Sequence, residues 1–168
     1  MSEADLLIDL FERIRDAVYP AVNALSVDEL AYRPDDQSNS ISWLVWHLTR
    51  VQDQAVSSFM GREPVWTSDG WFDRFALQLD PGDTGAGHDP ATVAKVSSAA
   101  GPLLDYFEDV HQRTVAWLRS LDDGALSKVL DDAAVPPVTV GSKLDAVIAD
   151  DLQHVGQAAY VRGIVQRR

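Results

Sequence analysis

Four stretches of this chain repeat apolar side chains at the three-and-four spacing of an α-helix, and that periodicity restricts the fold more than any other feature. The first covers residues 3–25, where Leu6, Leu7, Leu10, Ile14, Ala17, Val18, Ala21 and Leu25 form one stripe, with Ser2 placed to cap it and Pro20 placed to kink it. The second, residues 40–60, opens at the capping residues Asn39-Ser40 and carries Ile41, Leu44, Val45, Leu48 and Val51. Asp89-Pro90 has the form of an N-cap followed by proline at the first helical position. From there Val93, Val96, Leu103, Leu104, Phe107, Val110, Val115 and Leu118 carry the period to Leu121, with a kink or split expected at Gly101-Pro102. The fourth stretch runs from Leu144 to Val165, capped by Ser142, after the extended connection Pro136-Pro137-Val138-Thr139-Val140-Gly141. A short turn of helix is expected at the capping box Ser26-Val27-Asp28-Glu29, ending at Arg33-Pro34. Helices of roughly 20–30 residues in this number are what a four-helix bundle requires, so the expected fold is all-α, one domain over residues 1–168. Residues 61–89 interrupt the pattern with Gly61, Pro64, Gly70, Pro81, Gly82, Gly85 and Gly87. They also hold Trp66, Trp71, Phe72 and Phe75, so this long insert punctuates helices yet can pack, and such loops often carry function.

Three polar side chains fall on the apolar stripes. His47 lies among Ile41, Leu44, Val45 and Leu48, while Asp150 and His154 stand four apart on one face of the last helix, near the line of Val147, Ala158 and Val161. A lone histidine on an apolar face is more often a hydrogen-bonded core residue, and Asp150 alone reads as a solvated acid or as a partner of His154. The combination shifts the balance. Burying an unpaired polar group costs roughly 2–7 kcal/mol, and more for a charge, so three such groups directed inward need a compensating partner. A carboxylate and an imidazole at i, i+4 chelate one ion from a single helix, and a histidine from a second helix completes a three-ligand site with a position left open. Two imidazoles and one carboxylate suit zinc first. Nickel, manganese or iron fit the same ligand types.

Composition excludes several classes of function. With 46% hydrophobic and 24% charged residues the chain is an ordinary soluble globular protein, and no apolar run approaches the roughly 20 residues that span a bilayer. The acidic start Met1-Ser2-Glu3-Ala4-Asp5 is unlike a secretory signal, so a cytoplasmic location is expected. A net charge of −12 repels phosphate backbones and anionic lipid, and the basic tail Arg167-Arg168 is too short to reverse this, so neither nucleic acid nor membrane is an expected partner. The oligomeric state stays open, a homodimer included. There is no cysteine, so any sulfur nucleophile must arrive with a substrate.

The stretch Ser40-Ile41-Ser42-Trp43-Leu44-Val45-Trp46-His47-Leu48-Thr49-Arg50-Val51 resembles the second-helix signature of the DinB superfamily. Asp150-Asp151-Leu152-Gln153-His154-Val155-Gly156-Gln157, running on to Arg162-Gly163, resembles its C-terminal signature, in which a ligand histidine precedes a Gly-Gln step and a later Arg-Gly. The likeness extends to Leu30 through Pro34 and to the segment from Trp71 to Phe75. It implies a down-up-down-down bundle around one divalent ion, and chemistry on low-molecular-weight thiols such as mycothiol or bacillithiol. Members commonly carry three histidines, the last two as His-x-x-x-His; Asp150 stands at the first of those two, similar to the Glu-x-x-x-His variant among mycothiol-dependent isomerases of the group. The expected activity is a metal-dependent thiol S-transferase with a detoxifying role, activating mycothiol for attack on an electrophilic small molecule. An isomerase or hydrolase on the same ion, an iron oxygenase, and a non-catalytic metal-binding stress-response protein are the alternatives. The insert is expected to supply substrate contacts, with Arg74 as an anion anchor and His88 touching ion or substrate. For both, the plain alternative is an exposed surface side chain.

Overall fold

The computed structural model describes residues 2–168. In chain order the helices are α1 (Glu3–Val22), α2 (Val27–Ala31), α3 (Ile41–Met60), α4 (Val65–Ser68), α5 (Trp71–Phe75), α6 (Pro90–Val93), α7 (Ala100–Arg119) and α8 (Val140–Val165), with a hairpin of β1 (Val129–Asp131) and β2 (Val138–Thr139) between the last two. The long helices α1, α3, α7 and α8 form a four-helix bundle in which α1 and α3 each pack against both α7 and α8. Their stripes meet as the periodicity requires: Phe11, Ile14 and Val18 from α1, Leu44, Val45 and Leu48 from α3, Leu103, Phe107 and Val110 from α7, and Leu144, Val147 and Val155 from α8 are all buried. No helix among the described residues is long and apolar enough to cross a membrane.

Helix boundaries follow local chemistry. Ser2 and Ser26 each accept from the backbone N–H three residues on, while Asp5 and Glu29 return the bond to the cap's own N–H, closing both capping boxes. Pro20 sits inside α1, which stops at Val22 rather than at Leu25. The stretch after Asp89 is split: Asp89 caps only the four residues of α6, and Gly101-Pro102 fall in the first turn of α7, where the missing proline N–H has no intrahelical partner to lose. The last helix begins earlier than its apolar period, at Val140. Thr139 is the cap, and Ser142 is the residue three places in that completes the box. The connection before it is a short antiparallel hairpin rather than plain extended chain, pairing Val129 with Thr139 and Asp131 with Val138.

The insert departs most from a loop. It folds α4 against α3 and α7, and α5 against α4 and α7. With α7 and the chain before it, this buries the polar side of α3 as well as its apolar stripe: Ser42, Thr49, Arg50, Gln52 and Asp53 are enclosed, Ser42 against Ser98 and Gln52 against Thr114. Asp53 makes this possible. Its carboxylate accepts from the backbone N–H groups of Val65 and Trp66, 2.9 Å each, at the start of α4, from the Tyr106 hydroxyl at 2.8 Å and from Ser57 at 3.1 Å. Arg50 lies 3.6 Å from that carboxylate and donates to the Asp83 carbonyl at 3.1 Å, with its guanidinium over the Trp66 ring. A buried charge held by this many donors is stable, whereas either partner alone would be costly.

Candidate metal centre

His47 enters the site from the middle of α3 and is 7% exposed. Trp43, one turn earlier, stacks on its ring with centroids 4.6 Å apart and planes 15° from parallel. The Thr84 carbonyl, 2.5 Å from His47 Nδ1, can only accept, so Nδ1 carries the proton and Nε2 presents a lone pair. That carbonyl arrives because the backbone of the insert comes unusually close. Gly85 has φ +93°, and a Cβ there would lie 2.8 Å from His47 Nδ1 and 3.0 to 3.1 Å from the rings of Trp46 and Trp43. Only glycine meets both the backbone angle and the approach.

Asp150 and His154 come from α8, one turn apart, at the edge of its buried stripe and half-buried. His154 Nδ1 faces Gln157 Oε1 at 2.9 Å, again an acceptor, so the second histidine also turns a lone-pair Nε2 inward. The two Nε2 atoms flank one carboxylate: His154 Nε2 is 3.4 Å from Asp150 Oδ1, and His47 Nε2 is 3.8 Å from Asp150 Oδ2. The three ligating atoms lie within 4.8 Å of one another. Asp150 Oδ2 is buried without a hydrogen-bond partner among the described residues. Two lone pairs and an orphaned carboxylate oxygen converging on one point fit a divalent cation, which would satisfy all three at once, with the outer bonds to Thr84 and Gln157 orienting the imidazoles as metal ligands require.

The electrostatics agree. Burial lowers the pKa of His47, against the opposing pull of the Thr84 carbonyl and Asp150, so this imidazole is neutral and ready to ligate. His154 moves the other way: its pKa is raised chiefly by Asp150, whose carboxylate favours a proton on Nε2 at the place a cation would take. Burial alone would raise Asp150, but the bond to His154 and the charges of both histidines outweigh it and hold the carboxyl below its ordinary value. At neutral pH the site therefore has an anionic ligand and at least one neutral imidazole.

The centre opens on one side into a cavity of about 1070 Å³ whose wall includes Asp150 and Thr84. It runs between α3, α7, α8 and the hairpin, past Ala55, Phe59, Trp117, Leu130, Val138 and Val147. A cavity of this size with a largely apolar wall has room for an organic ligand.

The structure does not bring the two insert residues to this cluster. Arg74 is exposed, its guanidinium 4.5 Å above the Trp71 ring, away from the cavity wall, because α5 turns it outward along the insert. His88 is enclosed rather than exposed, and both its nitrogens are engaged: Nδ1 accepts from the Trp43 indole N–H at 3.1 Å, and Nε2 donates to Asp83 at 2.9 Å. It holds the insert against Trp43 and so braces His47 from behind. The Thr84 carbonyl bonds His47, and Asp83 shapes the turn behind it by accepting from the Gly85 N–H; neither residue was given a role from the sequence, where the Gly-x-Gly around Ala86 was the available sign of a close backbone approach. Asp151, not Asp150, occupies the centre of the α8 stripe. It is fully buried with neither oxygen bonded among the described residues, and burial, followed by the charge of Asp150, raises its pKa well above the carboxylate range.

A comparison with curated proteins finds no match. Among solved structures, that of a conserved protein from Enterococcus faecalis superposes with a TM-score of 0.93, is 30% identical and covers 100% of this chain and 99% of its own. The family model of the DinB superfamily matches residues 10–158, a span that contains His47, Asp150 and His154 together with the Thr84 and Gln157 contacts that orient them. By that match, over nearly the whole bundle, this chain belongs to the DinB superfamily.

Proposed function

We propose that the protein is a divalent-metal-dependent thiol S-transferase, joining a low-molecular-weight thiol, mycothiol first among them, to an electrophilic small molecule. The observation that carries this reading is the convergence of His47 Nε2, Asp150 and His154 Nε2 beside a largely apolar cavity whose wall Asp150 shares, in a chain with no cysteine. When bound there, a divalent ion, zinc by ligand type, supplies positive charge that stabilises a thiolate near neutral pH. The residues do the rest. Thr84 and Gln157 hold the Nδ1 protons of His47 and His154 and so aim each Nε2 at the ion, and Asp150 would provide the one anionic ligand, leaving net positive charge at the centre. Phe59, Trp117 and Leu130 form walls that exclude water and seat the apolar body of the electrophile, which lowers the cost of placing two reactants together. The sulfur–carbon bond forms as the leaving group departs, and the thiol proton passes to solvent.

The test is turnover of a generic electrophile, chlorodinitrobenzene, by zinc-loaded protein with mycothiol, bacillithiol, glutathione or no thiol. Thiol-dependent conjugation that disappears in His47→Ala and Asp150→Asn is the expected result. Equal consumption with and without every thiol would sink the transferase reading and point to hydrolysis on the same centre.

A further inference from the structure

The chain contains only three lysines, Lys95, Lys128 and Lys143, against 26 acidic residues, and two of the three line the cavity that leads from the metal centre. Neither Lys128 nor Lys143 forms an ion pair among the described residues, although acids are abundant everywhere on this surface. Their placement is fixed by the fold. Lys143 lies in the first turn of α8, seven residues before Asp150, so it shares a face with Val147 and Asp150 at two helical turns, a rise of about 10 Å. Lys128 is tied to the same end, because its carbonyl accepts from the Val140 N–H at 3.0 Å where α8 begins. The wall that these lysines share with Asp150 includes the apolar Ala146, Val147, Leu130 and Val138, with Asp131 as a further acid on it.

We infer that the mouth of the cavity is a subsite for an organic anion: the molecule accepted here is an amphiphile with its reactive end at Asp150 and an acidic group held by Lys128 and Lys143. This deepens the proposed function and rests on the cavity being the substrate chamber of the metal centre. Two exposed lysines without ion pairs on a largely apolar wall outnumber Asp131, the acid nearest them on it, and in a protein whose overall field repels anions they select a ligand that carries its charge at one end and its apolar surface along the middle. It also assigns to the two lysines the anion-holding role that the sequence suggested for Arg74.

The experiment is a fluorescence titration of the zinc-loaded protein with anilinonaphthalene sulfonate, an anionic amphiphile, and with the uncharged N-phenylnaphthylamine. Lys128→Gln and Lys143→Gln should each weaken the sulfonate about fivefold or more and together flatten its salt dependence, while the uncharged probe changes less than about twofold. Lys143→Arg should retain sulfonate binding, and Lys95→Gln, which removes the same charge from a site outside the cavity, should leave it intact. Unchanged sulfonate affinity in both glutamine variants, an equal loss in Lys95→Gln, or a parallel loss of the uncharged probe would each overturn the inference. No thiol or turnover enters the measurement, so a failure of the transferase reading leaves this result standing on its own, and the reverse.

Discussion

Asp151 gives the sharpest quantitative test of this core. Its side chain is 0% exposed, in line with Leu144, Ile148, Val155 and Ala158, and neither carboxyl oxygen has a partner among the described residues. Burial and the neighbouring Asp150 raise its pKa well above the carboxylate range, so the native state keeps the proton that the unfolded chain releases above about pH 3.9. A raised folded pKa means that the stabilising contribution is complete in acid and is lost as pH climbs toward the raised value. Each pH unit across that window costs about 1.4 kcal/mol. Asp151→Asn nearly preserves shape and has no proton to lose. Relative to wild type it should therefore gain about 1.4 kcal/mol for each pH unit between the unfolded carboxyl value and the raised folded one. At about 2–4 °C per kcal/mol for a chain of this size, the melting temperatures should separate by roughly 3–6 °C per unit. Urea unfolding of both proteins in chelator, at four pH values across this range, measures the difference free of metal effects. Curves that stay parallel to within about 0.5 kcal/mol would show that Asp151 ionises freely in the folded protein, and the account of this core position would fall.

The other expectations concern the metal centre. Gln157→Ala removes the acceptor of His154 Nδ1 and should lower zinc affinity about 10–100-fold with the fold unchanged by circular dichroism; competition against a chromophoric chelator reads it, and wild-type affinity would mean that Gln157 does not orient the ligand. Gly85→Ala places a Cβ 2.8 Å from His47 Nδ1 at a positive φ, so it should lower both thermal stability, by at least about 1 kcal/mol, and metal content; a variant equal to wild type in both would refute the close approach of the insert. Because the bond to Asp150 raises the pKa of His154, protons should compete with the ion as pH falls through and below the ordinary histidine range, and zinc affinity should drop at least about tenfold between pH 8 and pH 5.5. A pH-independent affinity would exclude His154 as a ligand.

The bundle and the candidate His47–Asp150–His154 cluster were legible because both rest on short-range periodicity. Apolar residues at helical spacing name the packed faces of α1, α3, α7 and α8, and the i, i+4 relation of Asp150 to His154 is visible in any helical register. What could not be read are relations between residues far apart in sequence. That Asp53 would cap α4 depends on Val65 and Trp66 folding back onto α3, and no local pattern announces an acid that bonds backbone twelve residues away. The same holds for His88, whose type suggested a ligand but whose partners Trp43 and Asp83 absorb both nitrogens. Asp151 was closer to hand: the stripe through Leu144, Ile148 and Val155 passes over it, and its chemical unsuitability for a core position hid it beside Asp150.

A helix of four residues does not persist alone, so α4 exists only once Asp53 is seated between α3 and α7 to receive its first N–H groups. The insert that follows brings Thr84 to His47, and until it does the first imidazole is free to rotate and to exchange its proton between nitrogens. Ligand geometry thus depends on a part of the chain that holds its shape only against the assembled bundle. A nascent or partly unfolded chain still has two histidines and an aspartate, but it offers them as scattered weak donors, and capture of the ion is deferred until the architecture around it has closed.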